Sequence, residues 1–320
     1  MRSISLFAAV VLVSLLAGCG SGSGQGGRSG GGPVTVALDF VPNAAHAGIY
    51  AARGGGDGRP PLRILVPSGS TDSVTLLLAR RADMAVVDIH DLGLARERGE
   101  DVVGVGALVQ RPLAAVIASS GVSRPRELEG KRVGVTGLPS DEAVLRAVVE
   151  NDGGDYGKVR KITIGFDAVK SLAAGKVDGV VAFWNVEGVT LRRQGVPTRE
   201  FRVDDYGAPH YPELVIAVRG DLLRSSGGRD RVRAALAGIA GGTREALRDP
   251  RASAATVAKA SGSPSALIAA ELAAIRPALS PPVRLDPTAL SAWAQFDARF
   301  GILKRPPEVS KAFDTSLAPR

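Results

Sequence analysis

Two short stretches hold side chains whose types and spacing suit the capture of a flat, polar solute. The first is Asp39-Phe40-Val41-Pro42-Asn43-Ala44-Ala45-His46-Ala47-Gly48-Ile49-Tyr50. A carboxylate, an aromatic ring and a proline turn are followed by an amide and an imidazole. The second is Phe183-Trp184-Asn185-Val186-Glu187-Gly188. Trp184 offers a flat apolar face and Glu187 two acceptor oxygens. Stacking adds roughly 0.5–1.5 kcal/mol beyond burial, whereas a hydrogen bond to a charged group nets roughly 1.5–3 kcal/mol. A heteroaromatic ring bearing an amine would therefore owe more of its selectivity to the carboxylate than to the indole. The other reading is structural: Trp184 buried between helix and sheet, with Glu187 capping the helix.

The rest of the chain assembles no reaction centre. His46, His90 and His210 are the only histidines, no HExxH or S-x-x-K pattern occurs, and no strand run is followed by a GxSxG elbow. Asp204 and Asp205 are adjacent, so in an extended chain their carboxylates point oppositely; with Tyr206, they suit a hinge or cleft wall better than a metal site. Ser68-Gly69-Ser70-Thr71 could offer backbone N–H groups to an anion but lacks the lysine of a P-loop, so helix capping is the simpler role. The single cysteine is Cys19, which leaves the remaining chain without a disulfide, a thiol nucleophile or a cysteine metal site. We expect no metal, no cofactor and no enzymatic activity.

The elements that must position these groups follow an alternating rhythm. From Val34 on, short apolar runs read as strands: Val34 to Leu38, Leu62 to Val66, Ala85 to Ile89, Val102 to Val109, Leu113 to Ala118, Arg132 to Val135, Ile162 to Ile164, Gly179 to Phe183 and Leu214 to Val218. Helical stretches separate most of them, which predicts an α/β protein with mostly parallel sheets. Residues 33–112 and 215–320 form one expected lobe and 113–214 a second, inserted lobe. From Asp221 the chain reads as helical almost to its end, over Arg231 to Leu247, Ala252 to Ala260, Pro264 to Ile275 and Pro287 to Phe300. Two lobes joined by two crossings make a hinge that can close on a ligand. Asp39 and Glu187 both fall at carboxyl ends of strands, where open α/β sheets place ligands.

The amino terminus reads as a targeting segment. Arg2 precedes an apolar run from Phe7 to Leu16, followed by Leu16-Ala17-Gly18-Cys19. This is a secretory signal over residues 1–18, too short to span a membrane. Its last four residues resemble the bacterial lipobox, which implies lipidation of Cys19; an ordinary signal peptide beside a chance cysteine is the alternative. Residues 19–32 are rich in Gly and Ser and suit a flexible tether. The expected location is the outer face of the cell membrane, with the domain standing off a lipid anchor. The net charge is +8, but arginines are scattered as singles and pairs such as Arg80-Arg81 and Arg192-Arg193. Without a basic block interleaved with aromatics, nucleic-acid binding is not expected.

Several segments, in order, resemble the thiamine pyrimidine-precursor-binding (SsuA/THI5-like) family. They are Leu38-Asp39-Phe40-Val41-Pro42-Asn43 with His46, Gly48 and Tyr50, then Gly165-Phe166-Asp167, Gly175-Lys176-Val177-Asp178, Trp184-Asn185-Val186-Glu187-Gly188, and Asp205-Tyr206-Gly207-Ala208-Pro209 with Tyr211-Pro212-Glu213-Leu214. The resemblance implies a type II periplasmic-binding-protein fold and a monomeric substrate-binding lipoprotein of an ABC importer. Its partners would be a permease and ATPase subunits, and its solute a hydroxymethylpyrimidine or formylaminopyrimidine. The wider superfamily includes binders of riboflavin, sulfonates and nitrate. Carried over by position, Asp39, Phe40, Asn43, His46, Trp184, Asn185 and Glu187 would line the cleft, with Tyr206 beside them. The family's tryptophan after the first Asp is Phe40 here, and Asp88 and His90 stand where the family usually has an aromatic and a glutamine; they would change the polarity of one wall. Arg53-Gly54-Gly55-Gly56-Asp57-Gly58 replaces the usual aromatic end of the first helix. The family also includes a pyrimidine synthase that consumes an active-site histidine, to which His46 corresponds, but that branch carries a cysteine-rich iron motif absent here.

Overall fold

A computed structural model describes residues 32–67 and 72–319. The signal, Cys19, nearly all of the tether and the Ser68–Thr71 turn lie outside the described residues.

Buried β-branched and small residues set most of the strands. In sheet 1 these are β1 (Val34–Ala37), β2 (Leu62–Leu65), β3 (Met84–Asp88) and β4 (Val102–Ala107), with α1 (Ala47–Ala51), α2 (Ser73–Leu78) and α3 (Ile89–Glu97) between them. The chain then enters sheet 2: β5 (Ala114–Ser119), β6 (Arg132–Val135), α4 (Pro139–Asn151), β7 (Arg160–Thr163), α5 (Ala168–Ala173), β8 (Gly179–Phe183), α6 (Glu187–Arg193) and β9 (Thr198–Arg202). It returns through β10 (Leu214–Arg219) and ends in α7 (Ser226–Arg248), α8 (Pro250–Ser261), α9 (Ser265–Ile275), α10 (Pro287–Phe300) and α11 (Val309–Ala312). The strand orders are β2-β1-β3-β10-β4 and β7-β6-β8-β5-β9.

The sheets are mixed rather than mostly parallel. The β1–β2, β1–β3, β6–β7 and β6–β8 pairs are parallel. The β10 strand runs antiparallel to β3 and β4, and β5 runs antiparallel to β8 and β9. The reason is the chain path: β5 and β10 bound the two crossings between lobes and slot into sheets otherwise built from βαβ units. Strand β9 and helix α6 were not separately legible, because Thr198–Arg202 is charged and half exposed and α6 is only two turns long.

Side chains of successive strand residues face opposite layers. Val34, Val36, Met84 and Val86 join Ile49 of α1, Leu236 and Ile239 of α7, and Leu272 of α9 on one face. Ala85 and Val87 join Leu77, Leu92 and Trp293 on the other. Helix starts follow local chemistry: Asp72 accepts from the Thr75 N–H at 2.6 Å and caps α2, the role expected of Ser68–Thr71. Asp249-Pro250 and Asp286-Pro287 open α8 and α10, with the proline in the first turn. Helix α1 crosses α7 backbone to backbone. A Cβ on Gly48 would run into Thr243, and one on Gly242 into the Gly48 carbonyl.

Among the described residues, no helix is long and apolar enough to cross a membrane.

Candidate functional site

On the first lobe, the turn after β1 is held by its own side chains. Asn43 caps the 3-10 turn Ala44–His46: its Oδ1 accepts from the Ala45 N–H at 2.9 Å, and its amide donates to the Val41 carbonyl at 3.1 Å. His46 is completely buried. Its Nδ1 accepts from the Asn43 N–H at 3.2 Å, so the ring proton sits on Nε2, which donates to Asp39 at 2.7 Å. The imidazole therefore has both nitrogens occupied and fixes the orientation of Asp39. Asp39 and Phe40 are half-buried at the lip of the strand.

On the second lobe, the turn after β8 carries the other group. The Trp184 indole is 5% exposed; its N–H donates to the Pro112 carbonyl at 3.1 Å, and the Arg202 guanidinium lies 4.0 Å over its ring. One face of the indole is thus already occupied by a cation. Asn185 is fully buried, and neither polar atom of its amide has a hydrogen-bond partner among the described residues. Glu187 begins α6 and accepts from the Phe183 N–H at 3.1 Å. Burial raises its carboxyl above the usual range, against the pull of the Glu187 and Phe183 N–H groups. The structural reading of Trp184 and Glu187 is therefore partly realised, since both also tie down the turn.

Two further residues meet these groups. Glu271 lies on α9 and is 2% exposed. Its Oε2 accepts from the Ala44 N–H at 3.3 Å, just inside the Asn43 cap. Burial pushes its carboxyl up to about 7; the Ala44 N–H opposes this and the charge of Glu187 adds to it. Phe166, 71% exposed on the second lobe, sits 5.7 Å from Phe40, ring centre to ring centre, at a 46° tilt. Both were legible only faintly. Phe166 lies in a quoted motif without an assigned role, and Glu271 is a lone carboxylate in the apolar run Ser265–Ile275.

Asp88 and His90 do not join this group. They enter a buried cluster beside the crossings. His90 Nδ1 lies 2.7 Å from Asp297 Oδ1, and Nε2 lies 3.2 Å from the Tyr211 hydroxyl and 3.9 Å from Glu213. The Oε2 of Glu213 accepts from the N–H groups of Leu113 and Ala114 at 2.5 and 3.1 Å, so a side chain on one crossing grips the backbone of the other. Burial alone would lower the His90 pKa; Asp297, Asp88 and Glu213 outweigh it and push it up to about 10. Burial raises the Asp88 and Glu213 carboxyls despite the neighbouring His90 charge. Ligand atoms of Asp88, His90 and Glu213 lie within 4.8 Å of one another, close enough to face a cation. Their occupied nitrogens and oxygens favour an ion-paired structural cluster. Tyr206 packs edge-on against Phe201, 6.0 Å away, and Asp204 pairs with Arg111 at 2.8 Å.

Two surface cavities, of about 700 and 270 Å³, lie elsewhere, one against α11 and the other beside Arg111, His210 and Pro281. Neither is lined by Asp39, Phe40, Glu187 or Glu271. The Phe40–Phe166 contact and the packing of α9 on α6 instead set these groups along the junction of the lobes.

Two mixed sheets, a double crossing and polar groups at facing strand ends define the type II periplasmic-binding-protein fold. The aliphatic sulphonate-binding protein SsuA from Escherichia coli superposes with a TM-score of 0.72 at 13% identity, covering 88% of this chain and 97% of that one. Residues 43–253 match the family model described as NMT1/THI5 like, and the chain belongs to that family. It is 31% identical over 233 residues to the formylaminopyrimidine-binding protein of Halalkalibacterium halodurans, over 71% of this chain and 70% of that protein. It is 26% identical over 185 residues to the 4-amino-5-hydroxymethyl-2-methylpyrimidine phosphate synthase THI5 of Saccharomyces cerevisiae, over 53% of each chain.

Proposed function

We propose that this protein is the extracytoplasmic solute receptor of an ABC importer. It captures a small heteroaromatic solute, a thiamine pyrimidine precursor of the hydroxymethylpyrimidine or formylaminopyrimidine type, and hands it to a membrane permease. Residues 33–112 with 215–320 form one closing lobe and 113–214 the other. The protein works as a monomer tethered through lipidated Cys19, and it is not an enzyme.

The observation that carries this reading is the meeting of Phe40, next to Asp39, with Phe166 from the opposite lobe, together with the packing of α9 on α6, which Glu187 begins. Paired rings suit a flat ring, and carboxylates suit its amino substituents. The same carboxylates would repel a sulfonate or nitrate, the alternative solutes suggested by the wider superfamily. The similarity to a formylaminopyrimidine-binding protein supports the same choice.

The full binding test is calorimetry or thermal shift against aminopyrimidines, riboflavin and sulfonates. Saturable binding of an aminopyrimidine, with no response to sulfonates, is expected. Silence from the whole panel overturns the receptor reading. The synthase relatives prompt a second check on His46, whose two nitrogens are engaged by Asn43 and Asp39 in a positioning role. Incubation with iron and pyridoxal phosphate should leave His46 unmodified by mass spectrometry.

A further inference from the structure

Among the helices after β10, α9 brings a carboxylate to the place where the lobes meet. Helix α9 is otherwise apolar (Ser265-Ala-Leu-Ile-Ala-Ala-Glu271-Leu-Ala-Ala-Ile275), yet its one charged side chain is 2% exposed. A carboxylate in such a place needs a partner. Glu271 has one hydrogen bond, from the Ala44 N–H, and no second among the described residues. Helix α9 packs on α6, whose first residue is Glu187. Close by, the amide of Asn185 is also buried with both ends unmatched.

We infer that Glu271 is a recognition residue of the solute site, and that Glu187 and Glu271, brought from opposite lobes, together seat the nitrogen edge of an amino-substituted ring. This inference rests on the pyrimidine reading above and deepens it. An aminopyrimidine presents an exocyclic NH₂ beside a ring nitrogen. One carboxylate accepts from the NH₂, and the other shares a single proton with the ring nitrogen. No covalent bond changes, and the proton stays within the pair.

The other charged groups near α9 do not neutralise this pair. The Ala44–His46 turn offers Asp39, already bonded to His46. On α6, Arg192 is paired with Glu200 and Arg193 lies in the last turn. The inward residues of α8 are Ser253, Ala254, Val257 and Ala258, and its Lys259 is exposed. Arg276, after α9, bonds the Leu247 carbonyl. Arg202 of β9 lies over Trp184 and pairs with Glu200 at 3.5 Å, so among the described residues two carboxylates face this junction without a cation bonded to either, and a carboxyl that holds its proton to about 7 fits a site containing one shared proton.

Two consequences follow. The empty closed form carries mutual repulsion between Glu187 and Glu271 once both ionise, so closure without ligand is disfavoured and an amine edge relieves it. Above pH 7 the bound site must take up a proton that the empty site has lost, so affinity falls with rising pH.

The test is calorimetry on the full-length protein with 4-amino-5-hydroxymethyl-2-methylpyrimidine and its 4-hydroxy counterpart, between pH 5.5 and 8.5. The wild type should prefer the amino compound, with Kd rising toward about tenfold per pH unit above 7 as one proton is taken up. Glu271→Gln, which keeps the shape, should weaken the amino compound by about tenfold or more, change the 4-hydroxy compound far less, and flatten the pH profile. The same amino preference and the same pH profile in Glu271→Gln overturn the assignment while leaving the pyrimidine reading intact. Failure of the wild type to bind either pyrimidine overturns that reading and the inference together. If Glu271→Gln does not fold, the wild-type profile decides: no proton uptake on binding at pH 8 overturns the pair.

Discussion

The molecule holds two buried clusters of carboxylate and imidazole, and they are bonded to different degrees. At the crossings, Asp88, His90, Tyr211, Glu213 and Asp297 are bonded to one another and to backbone, with Asp297 Oδ2 the one buried side-chain atom of the five left without a partner among the described residues. At the cleft, His46 and Asp39 satisfy each other, but Asn185 is unmatched and Glu271 has a single partner. A cluster that closes most of its own hydrogen bonds and ties two chain crossings together holds a fold together. One that leaves them open is waiting for something else to complete it. The contrast is independent of any motif and supports the proposed split, structure for the first and recognition for the second.

The comparison can be broken by substitution. Glu213→Ala leaves the Leu113 and Ala114 N–H groups without their acceptor and removes a charge 3.9 Å from His90, and should cost about 3–5 kcal/mol of stability in urea melts. A loss under 1 kcal/mol would deny the crossing cluster its structural role. The pH dependence of Glu271 comes next. Its folded pKa of about 7 exceeds the ordinary glutamate value of 4.5, so the folded state holds the extra proton. The stability it contributes is fully present below about pH 4.5 and lost as pH rises to 7, worth roughly 3 kcal/mol. Glu271→Gln should remove this part of the slope in melts recorded from pH 4 to 8. Raised values at His90, Asp88 and Glu213 act in the same direction, His90 over the range from 6.5 to about 10, so a residual decline should survive in that variant.

Smaller effects belong to the cleft. Glu187→Gln should weaken an aminopyrimidine by roughly 1.5–3 kcal/mol in calorimetry, with a much smaller change in melting temperature. Phe166→Ala should weaken the same ligand by roughly 0.5–1.5 kcal/mol. Its melting temperature should hold, because the ring is 71% exposed. Phe40→Leu should cost least of all, since an apolar surface remains. Equal losses for Glu187→Gln and Phe40→Leu would move the recognition centre elsewhere.

What could be read from sequence divides along the same line. The Asp39–His46 turn was legible because its contacts are local: Asn43 bonds residues two and three positions away. The strand runs and the carboxyl-end placement of Asp39 and Glu187 follow from apolar length and periodicity. Glu271 was not legible as a site residue, because its partner Ala44 is 227 positions away and only the packing of α9 joins them. Asp88 and His90 were expected on the cleft wall because they stand where the family has an aromatic and a glutamine. Residue 89 starts α3, and the helix turns the His90 ring toward Asp297 of α10. The antiparallel insertion of β5 and β10 was hidden for a similar reason: an apolar strand does not record which neighbour it will accept.

The glycine crossing of α1 and α7 gives the recognition turn a second address. Ala44–His46 runs directly into α1, and α1 touches α7 through Gly48 and Gly242 with no room for a methyl group. The turn that orients Asp39 and caps Glu271 is thus one end of a short stiff lever whose fulcrum is a bare stretch of another helix. A single methyl at Gly242, far along the chain and touching no solute, would tilt that lever and be felt at the solute as a change of affinity.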